Sequence, residues 1–195
     1  MPYAKYEKIG RVSDLVIREM LNDPPVEFNI LKIARAAKVS RPWIYKYFGS
    51  GREQIILNAI DCIAPQFTDI GRKSSAPATP KDWARDYLKN MDKALIDVEK
   101  YPHYFQFYLQ CKLLGGKFGE RIAHHESLFI DQRGAPRIRE SLMLSKSDAK
   151  SFAELLLCIR LGLILTWLQE KEKTKANRSK LIHSVRRLIL DRLNE

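Results

Sequence analysis

Apolar residues recur at every third or fourth position along most of this chain, and no run alternates apolar with polar residues between hairpin turns. That period fits the face of a helix and not the pleat of a strand, so the expected fold is all-α. Ile9, Val12, Val16 and Met20 line one side of a first helix over Tyr3 to Leu21. Asp23-Pro24-Pro25 ends it, because proline lacks an amide donor and restricts the residue before it. At 195 residues and 45% hydrophobic content, the chain can bury a core as one large domain or as a small one joined to a larger one.

The next helices are short. Asn29 is placed to cap one in which Ile30, Ile33, Ala34 and Ala37 share a face, and Lys38-Val39 breaks that pattern. Ser40 can cap another, with Val39 before the cap and Ile44 inside the helix spaced as a hydrophobic staple and Pro42 in the first turn. Ser50-Gly51-Arg52-Glu53 has the form of a capping box opening a helix through Ile55, Ile56, Ala59 and Ile63. Small residues and proline mark a break from Gly71 to Pro80.

Beyond it, Thr79-Pro80-Lys81-Asp82 starts a helix carrying Trp83, Tyr87, Met91, Leu95 and Val98. Pro102 opens another, closed by Gly115-Gly116. A segment over Gly119 to Gln132 is expected to stop at Arg133-Gly134-Ala135-Pro136, with a short helix over Arg137 to Leu144. Two last helices are expected over about Asp148 to Glu172 and Asn177 to Leu193. The layout is that of a head over residues 1–60 and a larger helical body over residues 61–195.

Charge singles out the short pair. The chain carries a net +11 and a pI near 9.6, which favours a polyanionic partner such as nucleic acid or an anionic surface. Six of those charges fall between Lys32 and Arg52 (Lys32, Arg35, Lys38, Arg41, Lys46 and Arg52), where there is no Asp or Glu. A phosphate backbone rewards that arrangement, because each neutralised phosphate releases condensed counterions.

Two short helices joined by a tight turn, the second opening Ser-Arg-Pro-Trp, have the layout of a helix-turn-helix whose second member enters the major groove. The hydroxyls of Tyr45 and Tyr47 suit phosphate oxygens, and Arg41, Trp43 and Lys46 suit base edges, with Ile44 and Phe48 facing inward. A solvated basic face on an ordinary helical hairpin would share the charge, but not the combination of cap, staple and tyrosine pair.

At this point the residues resemble a family. Ile33-Ala34-x-x-Ala37-x-Val39-Ser40, followed by Ile44-Tyr45-x-Tyr47-Phe48 and a short Gly-Ser link, is similar to the DNA-binding head of TetR-type bacterial transcriptional repressors. The match covers about residues 9–60, and beyond residue 80 only helix order agrees. The resemblance implies that Ser40 to Phe48 is a recognition helix, that Tyr45 and Tyr47 touch phosphates, and that Asn29 sits by the backbone, with Lys32, Pro42 and Arg52 at the same surface.

Three residues depart from the family pattern. Lys38 stands where glycine is frequent, and a side chain at positive φ there costs on the order of 1 kcal/mol. Trp43 replaces a residue that is usually small, so its indole either stays exposed or packs against the first helix. Gly51-Arg52 occupies the place of a single lysine, with Arg52 still able to supply the cation.

The body is rich in large side chains with polar tips. Trp83, Tyr87, Met91, Tyr104, Phe105, Tyr108, Cys111, Phe118, Phe129 and Trp167 are core by helical spacing, and all but Phe118 are also candidates for lining a cavity for an apolar or aromatic effector. Phe152 to Leu168 is apolar nearly all round and must be covered on two sides, one by its own body and one by a partner.

Gly162 would permit close approach of that partner, and the last helix offers a companion strip. The expected homodimer seam comprises Leu155, Ile159, Gly162, Leu163, Thr166, Leu181, Val185, Leu188 and Ile189. The resemblance implies the same four-helix arrangement, two heads on one inverted-repeat operator, and release by a small-molecule effector.

The remaining signals are weaker. Cys62, Cys111 and Cys158 form no CxxC unit, and no leader peptide is visible, so a reducing cytoplasm is expected. The run over Phe152 to Leu168 is interrupted by Glu154 and Arg160 and falls short of the roughly 20 residues of a membrane span. His124-His125-Glu126 lacks the spacing of a metal site, and no GxSxG, P-loop or GxGxxG is present, so neither cofactor nor catalysis is expected. The eight cations between Lys171 and Arg192 are expected to form a solvated face. A helical adaptor binding an acidic protein through basic faces is the competing class.

Overall fold

The computed structural model describes residues 2–22, 28–68 and 79–193. The fold is all-α, with no strand among the described residues. In chain order the elements are α1 (Pro2–Asn22), α2 (Ile30–Ala37), α3 (Arg41–Phe48), α4 (Arg52–Thr68), α5 (Pro80–Lys100), α6 (Pro102–Leu114) and α7 (Gly116–Phe129). A π-helical turn (Ile130–Gly134) leads into α8 (Ala135–Leu142), followed by α9 (Lys146–Gln169) and α10 (Lys175–Leu193). The Asp23-Pro24-Pro25 stop and residues 71–78 of the expected break lie outside the described residues.

Local chemistry sets most helix ends. Thr79 Oγ1 accepts from the Asp82 amide at 3.1 Å, and Ser145 Oγ accepts from the Asp148 amide at 3.1 Å, each satisfying a donor that the first turn leaves free. Gly115 and Gly116 turn the chain between α6 and α7 at φ +67° and +60°, where a side chain would be strained.

Arg133-Gly134-Ala135-Pro136 does not stop the chain as its composition suggests. The helical path continues through the π-helical turn, in which the Ala135 amide bonds to Ile130 O. The wider turn makes room for Pro136, which cannot donate and would clash in a regular helix. Gly134 suits a close approach: a β-carbon there would lie 3.1 Å from the Ala153 β-carbon, tight enough that the neighbour would have to give way.

By contacts the chain forms two compact units, Met1–Asp69 with His103–Glu126, and Ile70–Pro102 with Ser127–Glu195. In the first, Val12, Val16 and Ile17 of α1 are sealed from solvent, as are Ile44 of α3 and Ala59 of α4. Polar side-chain pairs fasten α6 and α7 onto this group. His103 Nε2 lies 2.7 Å from Asp14 Oδ1, and Lys117 Nζ lies 2.9 Å from Glu53 Oε1.

Asp61 receives Arg121 through two hydrogen bonds and His125 through a third. Burial pushes the carboxyls of Asp14 and Asp61 up. The bonds from Arg18, His103 and Tyr104 to Asp14, and from His125 and Arg121 to Asp61, outweigh that and hold both below the ordinary 3.8. His125 is therefore committed to Asp61, and Glu126 accepts from Tyr108 and from Lys112 at 2.6 and 2.8 Å.

The second unit is built on Trp83, Ala84, Ile130, Ile138, Ala149, Ala153, Leu156, Leu157, Val185 and Ile189. Val185 and Ile189 were expected on the homodimer seam; both are only 3% exposed and belong to this core, because α10 turns that face onto its own chain. Ile159 and Leu163 are half-buried against the same cluster.

Helix α9 runs 24 residues, beyond the apolar run read from Phe152, and by length and composition it could cross a membrane. Only 28% of its apolar window is buried within the chain. Its inward stripe is Ala149, Ala153, Leu156, Leu157, Arg160, Ile164 and Trp167, and its outward stripe includes Leu155, Cys158, Gly162, Leu165 and Thr166.

Candidate nucleic-acid interface

The short pair of helices is fixed by backbone chemistry at both sides of its link. Asn29 Oδ1 accepts from the amides of Leu31 (3.0 Å) and Lys32 (3.1 Å), which starts α2. At the far end Lys38 adopts a left-handed conformation, φ 55° and ψ 46°. Its amide bonds to Arg35 O at 3.2 Å and the Val39 amide to Ala34 O at 3.0 Å, the paired closure of a Schellman motif. Ser40 then reverts to extended backbone, and its Oγ accepts from the Trp43 amide at 3.2 Å to start α3. Positive φ at Lys38 is the strain its place in the sequence implied.

Burial decides which face α3 presents. Ile33, Ala34 and Ala37 of α2 and Ile44 and Phe48 of α3 are buried, as the spacing required. Arg41, Pro42 and Lys46 are exposed, while Trp43, Tyr45 and Tyr47 are half-buried. Asn58 of α4 donates to Phe48 O at 3.0 Å, satisfying a carbonyl left open where α3 ends.

The exposed side chains pair with one another before any partner arrives. Arg41 Nη2 donates to Tyr45 Oη at 3.0 Å, with its guanidinium 5.8 Å from the ring centre. The rings of Trp43 and Tyr47 lie 4.7 Å apart and tilted at 51°, so the indole is neither fully free nor lost to the core. Lys46 Nζ stands 5.5 Å from the Tyr47 ring. What results is a row of cations laid over aromatic faces, each cation still exposed and able to turn towards an anion.

Two expectations change in space. The stretch that lacks carboxylates in sequence gains one from α1: Glu19 pairs with Lys32 Nζ at 3.0 Å, so Lys32 is not a bare cation. The expected capping box is displaced by one residue. Helix α4 begins at Arg52 and Gly51 O accepts from the Ile55 amide at 3.0 Å, which makes Gly51 the cap, while the Glu53 carboxylate reaches out to Lys117. Arg52 Nη2 lies 3.9 Å from Met20 Sδ with its guanidinium 6.0 Å from the Phe28 ring.

The residues expected to line an effector cavity fall in both units. Tyr104, Phe105, Tyr108 and Cys111 belong to the first, and Trp83, Tyr87, Met91, Phe129 and Trp167 to the second. Tyr87 Oη donates to Leu156 O at 3.0 Å and Tyr108 donates to Glu126, so both phenols already have partners within the protein. Burial pushes the Tyr87 phenol well up, against the pull of the Arg160 cation, and pushes the Cys111 thiol up to about 12. Trp167 is fully buried and its indole N–H has no partner among the described residues.

No family model, curated protein or solved structure matches this chain.

Proposed function

We propose that the protein is a DNA-binding transcriptional regulator of the TetR type, acting as a repressor released by a small apolar or aromatic effector. In this reading α2 and α3 are a helix-turn-helix, the first helices form the DNA-binding head, and the remaining helices form a body for effector binding and dimerisation. It needs no catalysis and no cofactor, and the cytoplasm is its place of action.

One observation carries the reading. Helix α3 buries Ile44 and Phe48 and turns Arg41 and Lys46 outward beside Trp43, Tyr45 and Tyr47, on a backbone locked by caps at Asn29 and Ser40 and by the Lys38 turn. A rigid short helix with cations and hydroxyls on its outer face has the residue types that the major groove recognises: Arg and Lys for guanine O6 and N7, an indole for thymine methyls, and tyrosine hydroxyls for phosphates. The Arg41 to Tyr45 bond is exposed and costs little to exchange for a base or phosphate contact.

The outward stripe of α9 supports dimerisation. Leu155 is 54% exposed and Leu188 of α10 is 61% exposed, and a β-carbon on Gly162 would meet nothing within 4 Å in the single chain. A second copy laid on this stripe would cover them and give two heads related by a two-fold axis. Half-sites would then lie about 34–36 Å apart, or a multiple of that, as an inverted repeat.

Fluorescence anisotropy of a labelled random duplex tests the reading. Duplex binding that weakens linearly with log salt, and that is reduced by replacing Tyr45, Lys46 and Tyr47, is the expected result. Unchanged affinity and salt slope in that triple variant would move binding away from α3. No duplex binding at any salt would instead leave the basic face to an acidic protein partner.

A further inference from the structure

Two ammonium groups stand near the ring of Tyr47, and one of them comes from outside the short helix pair. Lys46 Nζ on α3 is 5.5 Å from the ring centre, whereas Lys5 Nζ, near the start of α1, is closer at 4.7 Å. Lys5 is exposed, and among the described residues no carboxylate pairs with it: the Glu7 carboxylate is taken by Arg11 at 3.0 Å. Helix α1 cannot swing away freely, because Val12, Val16 and Ile17 are sealed in the core it shares with α2 and α4. The place of Lys5 beside α3 is therefore set by packing as well as by its attraction to an aromatic face.

We propose that Lys5 is a DNA-contact residue, with α1 supplying a cation to the phosphate group that the Tyr47 hydroxyl binds. The inference rests on α3 being the reading helix and adds to it a second helix that grips the duplex. A phosphate accepting from Tyr47 Oη comes within reach of both ammoniums, and among the described residues Lys5 has no competing carboxylate to leave. Lys32, inside the stretch that has no carboxylate of its own, is less available because Glu19 already pairs with it. Distance along the sequence hides this role, since Lys5 and Tyr47 are brought together only by the packing of α1.

The test is a salt titration of duplex binding by the full chain, comparing wild type with Lys5→Ala, Lys5→Arg and, as a control for net charge alone, Lys93→Ala on the exposed side of α5. One lost phosphate contact lowers the slope of log affinity against log salt by about 0.9, equivalent to about 8-fold in affinity at 0.1 M relative to 1 M salt. Lys5→Ala is expected to show that loss, Lys5→Arg to recover it, and Lys93→Ala to stay within about 2-fold. If the two residues share a phosphate, Lys5→Ala combined with Tyr47→Phe loses less than the product of the single losses. A wild-type protein that binds duplex while Lys5→Ala keeps the same slope overturns the assignment of Lys5. A wild-type protein that binds no duplex overturns the reading of α3, and that result needs no substitution to see.

Discussion

Arg121 and Asp61 meet as a two-point fork, Nε to Oδ1 at 2.7 Å and Nη2 to Oδ2 at 2.8 Å, with His125 Nε2 2.7 Å from the same Oδ1. One carboxylate on α4 thus holds two residues of α7. The fork geometry favours a real contribution, but Arg121 is 39% exposed, so solvent screening limits it to about 1 kcal/mol. Asp61→Asn should lower stability by that amount at neutral pH, about 2–4 °C in melting temperature for a chain of this size.

The sign with pH follows from the direction of the shift. Asp61 is held below its ordinary 3.8 in the folded chain, so its contribution is complete above the unfolded value and is lost as pH falls through the folded one. Denaturant titrations of wild type and Asp61→Asn should therefore differ at pH 7 and converge in acid below the ordinary carboxylate range. A gap that widened on acidification would contradict the pairing.

Lys38 offers the opposite kind of test, a substitution expected to help. Its φ of 55° places a β-carbon in the left-handed region, at the position of the Schellman motif that glycine fills best. Lys38→Gly should raise stability by about 1 kcal/mol while leaving the bonds of Val39 to Ala34 and of Trp43 to Ser40 in place. Thermal melts would show the gain. A loss would mean that the lysine stem packs more favourably than its exposure suggests.

Features whose cause lies within a few residues were legible in the sequence. The caps at Asn29, Ser40 and Thr79 and the inward Ile44 and Phe48 all follow from local backbone needs, whereas the positive φ at Lys38 was implied only by the family resemblance. What escaped depends on partners far along the chain. Glu19 pairs with Lys32 from 13 residues away and Asp61 captures Arg121 and His125 across 60 and 64, and neither pairing leaves a periodic trace.

Helix α9 shows a different limit. With apolar residues nearly all round, its sequence could not say which stripe its own chain would cover, nor that α5 and α8 would be the helices to cover it while Val185 and Ile189 of α10 join the same buried cluster. The Gly134-Ala135-Pro136 run has the composition of a stop, yet the tight fit of Gly134 against Ala153 and a wider turn carry the helix through it.

Gly49 closes α3 at φ 87°, and a β-carbon there would fall 2.5 Å from Gln54 Cγ. Gly49→Ala combines backbone strain with that clash and should cost roughly 1–3 kcal/mol. Adding Gln54→Ala removes the Cγ but not the strained φ, so it should recover part of the loss and no more. Full recovery in the double variant, read by chemical denaturation, would show that φ contributes nothing at this position.

Gly162 separates a solvent-facing helix from one that meets a second copy, because the two cases predict opposite outcomes. In the single chain a side chain there meets open space, and replacing a mid-helix glycine gains on the order of 1 kcal/mol in helix propensity. Gly162→Leu should therefore stabilise an isolated chain of 22.7 kDa. If Leu155, Gly162 and Leu165 form the seam between two copies, the added side chain holds the backbones apart and weakens the dimer. Sedimentation over a range of concentrations should then show the wild type near twice the chain mass and the variant dissociating towards one. A wild type that stays at single-chain mass, together with a variant that only melts higher, would remove the dimer from the proposal.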